Sequence, residues 1–128
     1  MPNKNGIESF RHNSSSWRMK NLANRPSISS KEFCEQCGLD IRHAFDVGLF
    51  RKAFSSLVGV RADQIFPNDA VPDLGINYSD DLGMFLFDSG LLSNVDYRYD
   101  FPMEQASKVG EVIELTLQLN ERKDHGLR

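Results

Sequence analysis

Between residues 46 and 59 the apolar side chains Val47, Phe50, Phe54, Leu57 and Val58 recur at intervals of three or four. That spacing lines one face of an α-helix and is incompatible with the two-residue repeat of a half-buried strand. Asp46 is the expected N-cap, Gly59 the expected stop, and Val60 the residue that folds back on the last turn. The same logic recurs along the chain. Ser29-Ser30-Lys31-Glu32 has capping-box spacing and opens a short helix towards Gly38. Ser79-Asp80-Asp81-Leu82 offers a capping hydroxyl followed by two acids, where the exposed N–H groups of a first turn favour negative charge. Beyond it Leu82, Phe85, Leu86 and Leu92 share a face that Met84, Phe87 and Leu91 widen. Gly83 and Gly90 each weaken that helix by about 1 kcal/mol relative to alanine, and a short buried strand over 83–87 is the competing reading. A last stripe, Val109, Val112, Ile113, Thr116, Leu117 and Asn120, opens near Ala106 or Ser107.

These signals predict an all-α chain with principal helices near 42–58, 79–92 and 106–119 and an added N-terminal helix near 30–37. Residues 47, 50, 54, 57, 82, 85, 86, 112, 113 and 117 are the expected core. Residues 61–78 read as a long structured loop anchored by Ile65, Phe66, Val71, Leu74 and Ile76. The alternation in Val95-Asp-Tyr-Arg-Tyr-Asp-Phe101 predicts a short extended segment over 95–101. The expected organisation is a flexible basic arm over 1–28, a helical domain over 29–120 and a polar tail over 121–128. No window nears the roughly 18 unbroken apolar residues of a membrane span. The opening residues lack the apolar stretch of a secretory signal, so a cytoplasmic location is expected.

Charge is distributed unevenly. Residues 1–25 carry five cations and one acid, whereas residues 62–104 carry nine acids against Arg98 alone, a net of −8. So acidic a middle repels nucleic acid and favours basic partner surfaces. The plainer reading is that the acids keep a small domain in solution. Asp63, Asn68 and Asp69 do not match the alternating ligands and closing glutamate of a calcium loop. Cys34-Glu-Gln-Cys37 lies inside a capped helix with no second ligand pair, so two small buried thiols are the expected reading and a redox or metal pair the rival one. No metal site and no catalytic residue is expected, because the chain lacks the Gly-rich phosphate loop and nucleophile motifs that hydrolysis and nucleotide binding require.

The order of elements carries a resemblance. A helix ending Leu57-Val58-Gly59-Val60, a loop with Ile65 and Asp69, Asp73-Leu74-Gly75 before an acidic-apolar helix, and Lys108-Val109-Gly110-Glu111-Val112-Ile113 in the last helix together resemble the acyl carrier protein family over roughly residues 44–119. The resemblance implies an acyl carrier protein-like four-helix bundle, here with an extra N-terminal helix. It also implies a serine bearing 4′-phosphopantetheine, an acidic second helix, and a place in lipid or polyketide metabolism. The implied partners are basic surfaces of enzymes such as a phosphopantetheinyl transferase or an acyl transferase or synthase.

The family motif continues D-L-G-x-D-S-L, whereas this chain reads Ile76-Asn77-Tyr78-Ser79-Asp80 after Gly75. Tyr78 takes the serine position in the ungapped register, and Ser79 reaches it through one inserted residue. Ser79 is therefore either the attachment site or a plain N-cap. Ser89, in Asp88-Ser89-Gly90, lies too near Pro102 for a long helix to follow. The expected docking residues are Asp69, Asp73, Asp80, Asp81 and Asp88, with the three aspartates at 80, 81 and 88 along one exposed flank. The alternative function is an unmodified acyl-carrier-like interaction domain that lacks the arm.

Overall fold

A computed structural model describes residues 24–126, with side chains as far as residue 122. Four α-helices account for about half of it: α1 (Ser30–Cys37), α2 (Ala44–Val58), α3 (Ser79–Asp88) and α4 (Val109–Gly126). Short 3-10 turns at Ile41–His43, Ala62–Gln64, Val71–Leu74 and Val95–Tyr97 join them. Among the described residues there is no strand, only an isolated bridge between Ala70 and Lys108. The fold is all-α. The expected arm lies outside the described residues as far as position 23, but Arg25 and Ile28 at its end are held against the loop after α2.

The helix ends follow local chemistry. Ser29 caps α1 through a complete capping box with Glu32, and α1 and α2 stop at Gly38 and Gly59 in the left-handed conformation. Asp46 is not a cap. The chain enters α2 through the 3-10 turn Ile41–His43, whose cap is Asp40, and Asp46 sits in the helix's first turn. The earlier start reflects Asp40, whose carboxylate accepts the Arg42 N–H at 2.9 Å and begins helical geometry before the apolar stripe does.

The core joins Phe33 of α1, Val47, Phe50 and Phe54 of α2, Leu82 and Leu86 of α3, and Val109, Val112 and Ile113 of α4, together with Ile65, Leu92 and Phe101. The Phe54 ring meets Phe85 at 5.2 Å. Leu57 does not join them. It is exposed, because α2 turns Val58 inward at its last turn. Leu117 is only half-buried, and Leu119 fills the interior instead.

Two expected boundaries move. α3 ends at Asp88 rather than 92, since the N–H groups of Leu91 and Leu92 both reach back to the Leu86 carbonyl and turn the chain around Gly90. α4 begins at Val109, after Glu111 has accepted the N–H groups of Ser107 and Lys108, and continues past 119.

The largest departure is at 95–101. The segment forms a 3-10 turn, Val95–Tyr97, capped by Asn94, with Val95 and Tyr99 exposed and Phe101 buried. Among the described residues no strand lies alongside to take up its hydrogen bonds, whereas a turn satisfies them within the segment. Asn94 also donates to the Leu119 carbonyl at 2.9 Å, and Asn120 donates to that of Leu91, so α4 clamps this stretch through side chains.

Candidate docking and attachment site on α3

The loop leading to α3 is held from both sides. Its 67–71 portion is strapped to the start of α4, where Val71 donates to the Ser107 carbonyl, Val109 to that of Asp69 and Gly110 to that of Pro67, at 2.8–2.9 Å. Behind it lies a part-buried ion pair between Arg25 and Asp69, two-pronged at 2.6 and 2.8 Å, with the Phe66 N–H also donating to the same carboxylate. The Arg25 guanidinium lies 4.4 Å from the centre of the Phe66 ring. Asp69 therefore has its carboxylate engaged in the interior, whereas Asp73, Asp80, Asp81 and Asp88 are exposed.

Arg51 does similar work one layer deeper. It is 2% exposed and donates to the carbonyls of Ile65 and Ile28 at 3.0 Å and to Ser30 Oγ at 3.3 Å, beside the Phe33 ring. Burial pulls its pKa down, and Asp63 and Asp69 oppose that pull. The periodicity argument passes over Arg51, although its position beside Phe50 and one turn from Val47 and Phe54 puts it on the buried side of α2.

From Leu74 the chain turns through Gly75, buries Ile76, and enters α3. Tyr78, extended and 69% exposed, is the residue before the helix, and its carbonyl accepts the Leu82 N–H. Ser79 is the first helical residue rather than the N-cap, which corrects the plain-cap reading. The first-turn donor at Asp81 is taken by the Asp80 carboxylate at 2.9 Å. The Ser79 hydroxyl is part-exposed and has no hydrogen-bond partner among the described residues. Its carbonyl accepts the Phe101 N–H at 3.3 Å, which ties the helix start to the chain beyond the 95–97 turn.

Along α3, Leu82, Gly83 and Leu86 face inward, and Asp80, Asp81, Met84 and Asp88 face out. Met84, expected to widen the buried face, is 38% exposed and stands among the three carboxylates. Gly83 has a role that periodicity cannot show. A Cβ there would lie 2.4 Å from the Arg98 carbonyl oxygen and 2.5 Å from that of Tyr97. The 95–97 turn therefore rests directly on the α3 backbone. Arg98, the lone cation of the acidic stretch, lies 4.7 Å from the Phe87 ring and 5.1 Å from that of Tyr99.

A cavity of about 430 Å³ lies elsewhere, between Cys37, Pro67, Lys108, Gly110 and Glu114. Cys34 is buried and Cys37 half-buried. Burial raises both thiol pKa values, with Cys37 and Asp40 adding to the effect at Cys34 and Glu114 adding to it at Cys37. That is the reverse of the thiolate-favouring setting a reactive pair needs. No group of three or more metal-ligating side chains lies together, and no helix is long and apolar enough to cross a membrane, among the described residues.

In comparisons with known proteins, no family model, no curated protein and no solved structure matched this chain.

Proposed function

We propose that the chain is an acyl carrier protein-like module that docks basic partner enzymes on the outer face of α3 and carries 4′-phosphopantetheine on Ser79. The observation that supports it most is one side chain in its setting: a part-exposed hydroxyl, without a partner among the described residues, at the first turn of a helix and next to a flank of three exposed carboxylates and Met84. First-turn N–H groups have no acceptor within their own helix, so those of Ser79 and Asp80 are free to face an anion. A phosphodiester on Ser79 fits that donor set, and Asp80 holds its own carboxylate on the Asp81 N–H. When attached, the group would supply a thiol at the end of a flexible arm. The chain's own residues would present the serine and orient the partner.

Recognition on α3 would be electrostatic at the rim and apolar at the centre. Asp80, Asp81 and Asp88 attract a basic surface, and Met84 gives it a polarisable contact that accepts more than one partner shape. Cytoplasmic location and a place in lipid or polyketide chemistry belong to this same reading.

Tyr78 favours a second reading. An exposed aromatic stands immediately before Ser79, where the acyl carrier motif has aspartate, and the loop is one residue longer. On that reading the module docks without an arm. Intact-mass measurement after co-expression with a broad-specificity phosphopantetheinyl transferase separates the two. The carrier reading requires the mass gain of one phosphopantetheine, abolished in Ser79→Ala. Absence of the gain with several transferases leaves the docking module alone.

A further inference from the structure

Of the five cations in residues 1–25, Arg25 is committed to Asp69. Lys4, Arg11, Arg18 and Lys20 remain, against Glu8 alone, in a stretch that also holds Phe10 and Trp17. The outer face of α3 is its chemical counterpart. Asp80, Asp81 and Asp88 stand there around Met84, with exposed Tyr78 just before the helix and exposed Asp73 in the loop. None of those four carboxylates pairs with a cation among the described residues. Arg98, the one cation of the acidic stretch, lies against the Phe87 and Tyr99 rings instead.

We propose that the basic stretch 1–23 lies across the acidic outer face of α3 in the free chain, so that a docking partner must displace it. The point where the stretch joins the fold is fixed: Arg25 grips Asp69, in the loop that leads into α3, and Gln64 donates to the Arg25 carbonyl at 3.1 Å. The reach is sufficient. Eight residues separate Trp17 from Arg25 and extend to about 26 Å, against about 15 Å for the length of α3. The pattern of charge also matches. Cations fall on both sides of Trp17, at 11 and at 18 and 20, as carboxylates fall on both sides of Met84, at 80 and 81 and at 88. An indole against a thioether sulfur is a favourable central contact.

Single exposed ion pairs are weak, and a few of them hold two separate molecules poorly. Within one chain the encounter is intramolecular, at an effective concentration on the order of a millimolar. Weak pairs then keep the face covered against a dilute partner, whereas a larger basic surface still displaces them. The occlusion rests on the reading of α3 as the docking face. The contact itself rests on charge and tether, and involves neither the Ser79 hydroxyl nor a prosthetic group.

A zero-length carbodiimide tests the contact, since it joins a lysine amine to a carboxylate that it touches. In the monomer fraction of the full chain, peptide mapping should find Lys4 or Lys20 joined to Asp80, Asp81 or Asp88. The product should fade at about 1 M salt, where the screening length is about 3 Å. Those lysines joined only to other acids, joined only between chains, or not joined at all would overturn the proposal. Occlusion is read with a fluorescent hexalysine peptide at low salt. Replacing Lys4, Arg11, Arg18 and Lys20 with glutamine should tighten its binding about fivefold. Neutralising four exposed cations elsewhere, Lys31, Arg42, Lys52 and Arg122, should change it by less than about twofold. Equal gains in the two variants would show that net charge alone is at work and would overturn the occlusion. Peptide binding that is unchanged when Asp80, Asp81 and Asp88 are replaced by asparagine would overturn α3 as the docking face, and the occlusion with it, while the cross-links still decide the contact.

Discussion

Asp69 and Asp80 are eleven residues apart in the same acidic stretch, yet they meet opposite surroundings. Asp69 lies under the loop with its carboxylate gripped by the Arg25 fork and the Phe66 N–H. Asp80 stands on the outer face of α3 beside Asp81, Met84 and Asp88, with one bond to the next residue's N–H. A buried carboxylate is tolerable only when cation and N–H donors replace the water it loses. An exposed one keeps its water and stays free to meet a partner. One acidic run thus splits into a structural joint and an available surface.

The comparison breaks most severely at the joint. Asp69→Ala leaves the part-buried Arg25 with only the Gln64 carbonyl as acceptor and strands the Phe66 N–H, and a loss of about 2 to 3 kcal/mol is expected in urea unfolding. A loss below about 1 kcal/mol would place Asp69 with the surface acids after all.

On α3 itself, two neighbours sharpen the contrast. Gly83→Ala drives a methyl group into the Arg98 and Tyr97 carbonyl oxygens, and overpacking of that kind costs about 2 kcal/mol or more. Met84→Ala, one residue on but facing out, should leave the unfolding midpoint almost unchanged and slow partner association instead. Equal losses of stability in the two variants would mean that α3 has no free face.

A smaller effect concerns pH at the far end of the core. Burial raises the pKa of Cys34 and Cys37 in the folded chain. The unfolded chain therefore releases these protons first, near the ordinary cysteine value of about 8.5. The stability they contribute is intact below that pH and is lost as pH rises through the folded values. Unfolding midpoints should fall on the alkaline side, less steeply in Cys34→Ala, and the native thiols should react slowly with a thiol reagent at neutral pH. Fast modification of the folded protein would revive the redox reading.

Only a small change in stability is expected from replacing Asp80, Asp81 and Asp88 together with asparagine. The lost dipole interaction at the first turn amounts to no more than about 1 kcal/mol. Association with a basic partner should slow, and its salt dependence should flatten, because the steering charges are gone. Unchanged, salt-independent association would reduce these acids to a solubility role.

Much of the helical framework was legible because its causes are local. The Ser29–Glu32 box, the stops at Gly38 and Gly59, and the stripes through Phe50, Leu82 and Val112 each depend on residues within about one turn. The exposed flank of Asp80, Asp81 and Asp88 was legible for the same reason, since helical spacing alone puts them together once the helix exists. The errors fall where another part of the chain decides. Alternation in 95–101 is a sound strand signal, but among the described residues no neighbouring strand receives it, and Gly83 offers a backbone to rest on. Met84 looked interior by residue type, although α3 has only one side against the core.

What the amino-acid sequence determined unaided is therefore the helices, most of their ends and the acidity of the middle third, all consequences of backbone geometry and of chemistry acting over a few residues. The tertiary structure alone decided that Arg25 reaches Asp69 across 44 positions and that Arg51 is buried among three acceptors. It also decided that Ser79 begins a helix with its hydroxyl part-exposed. Burial, pairing and exposure are properties of surfaces brought together from distant positions, and no local pattern encodes which surfaces will meet.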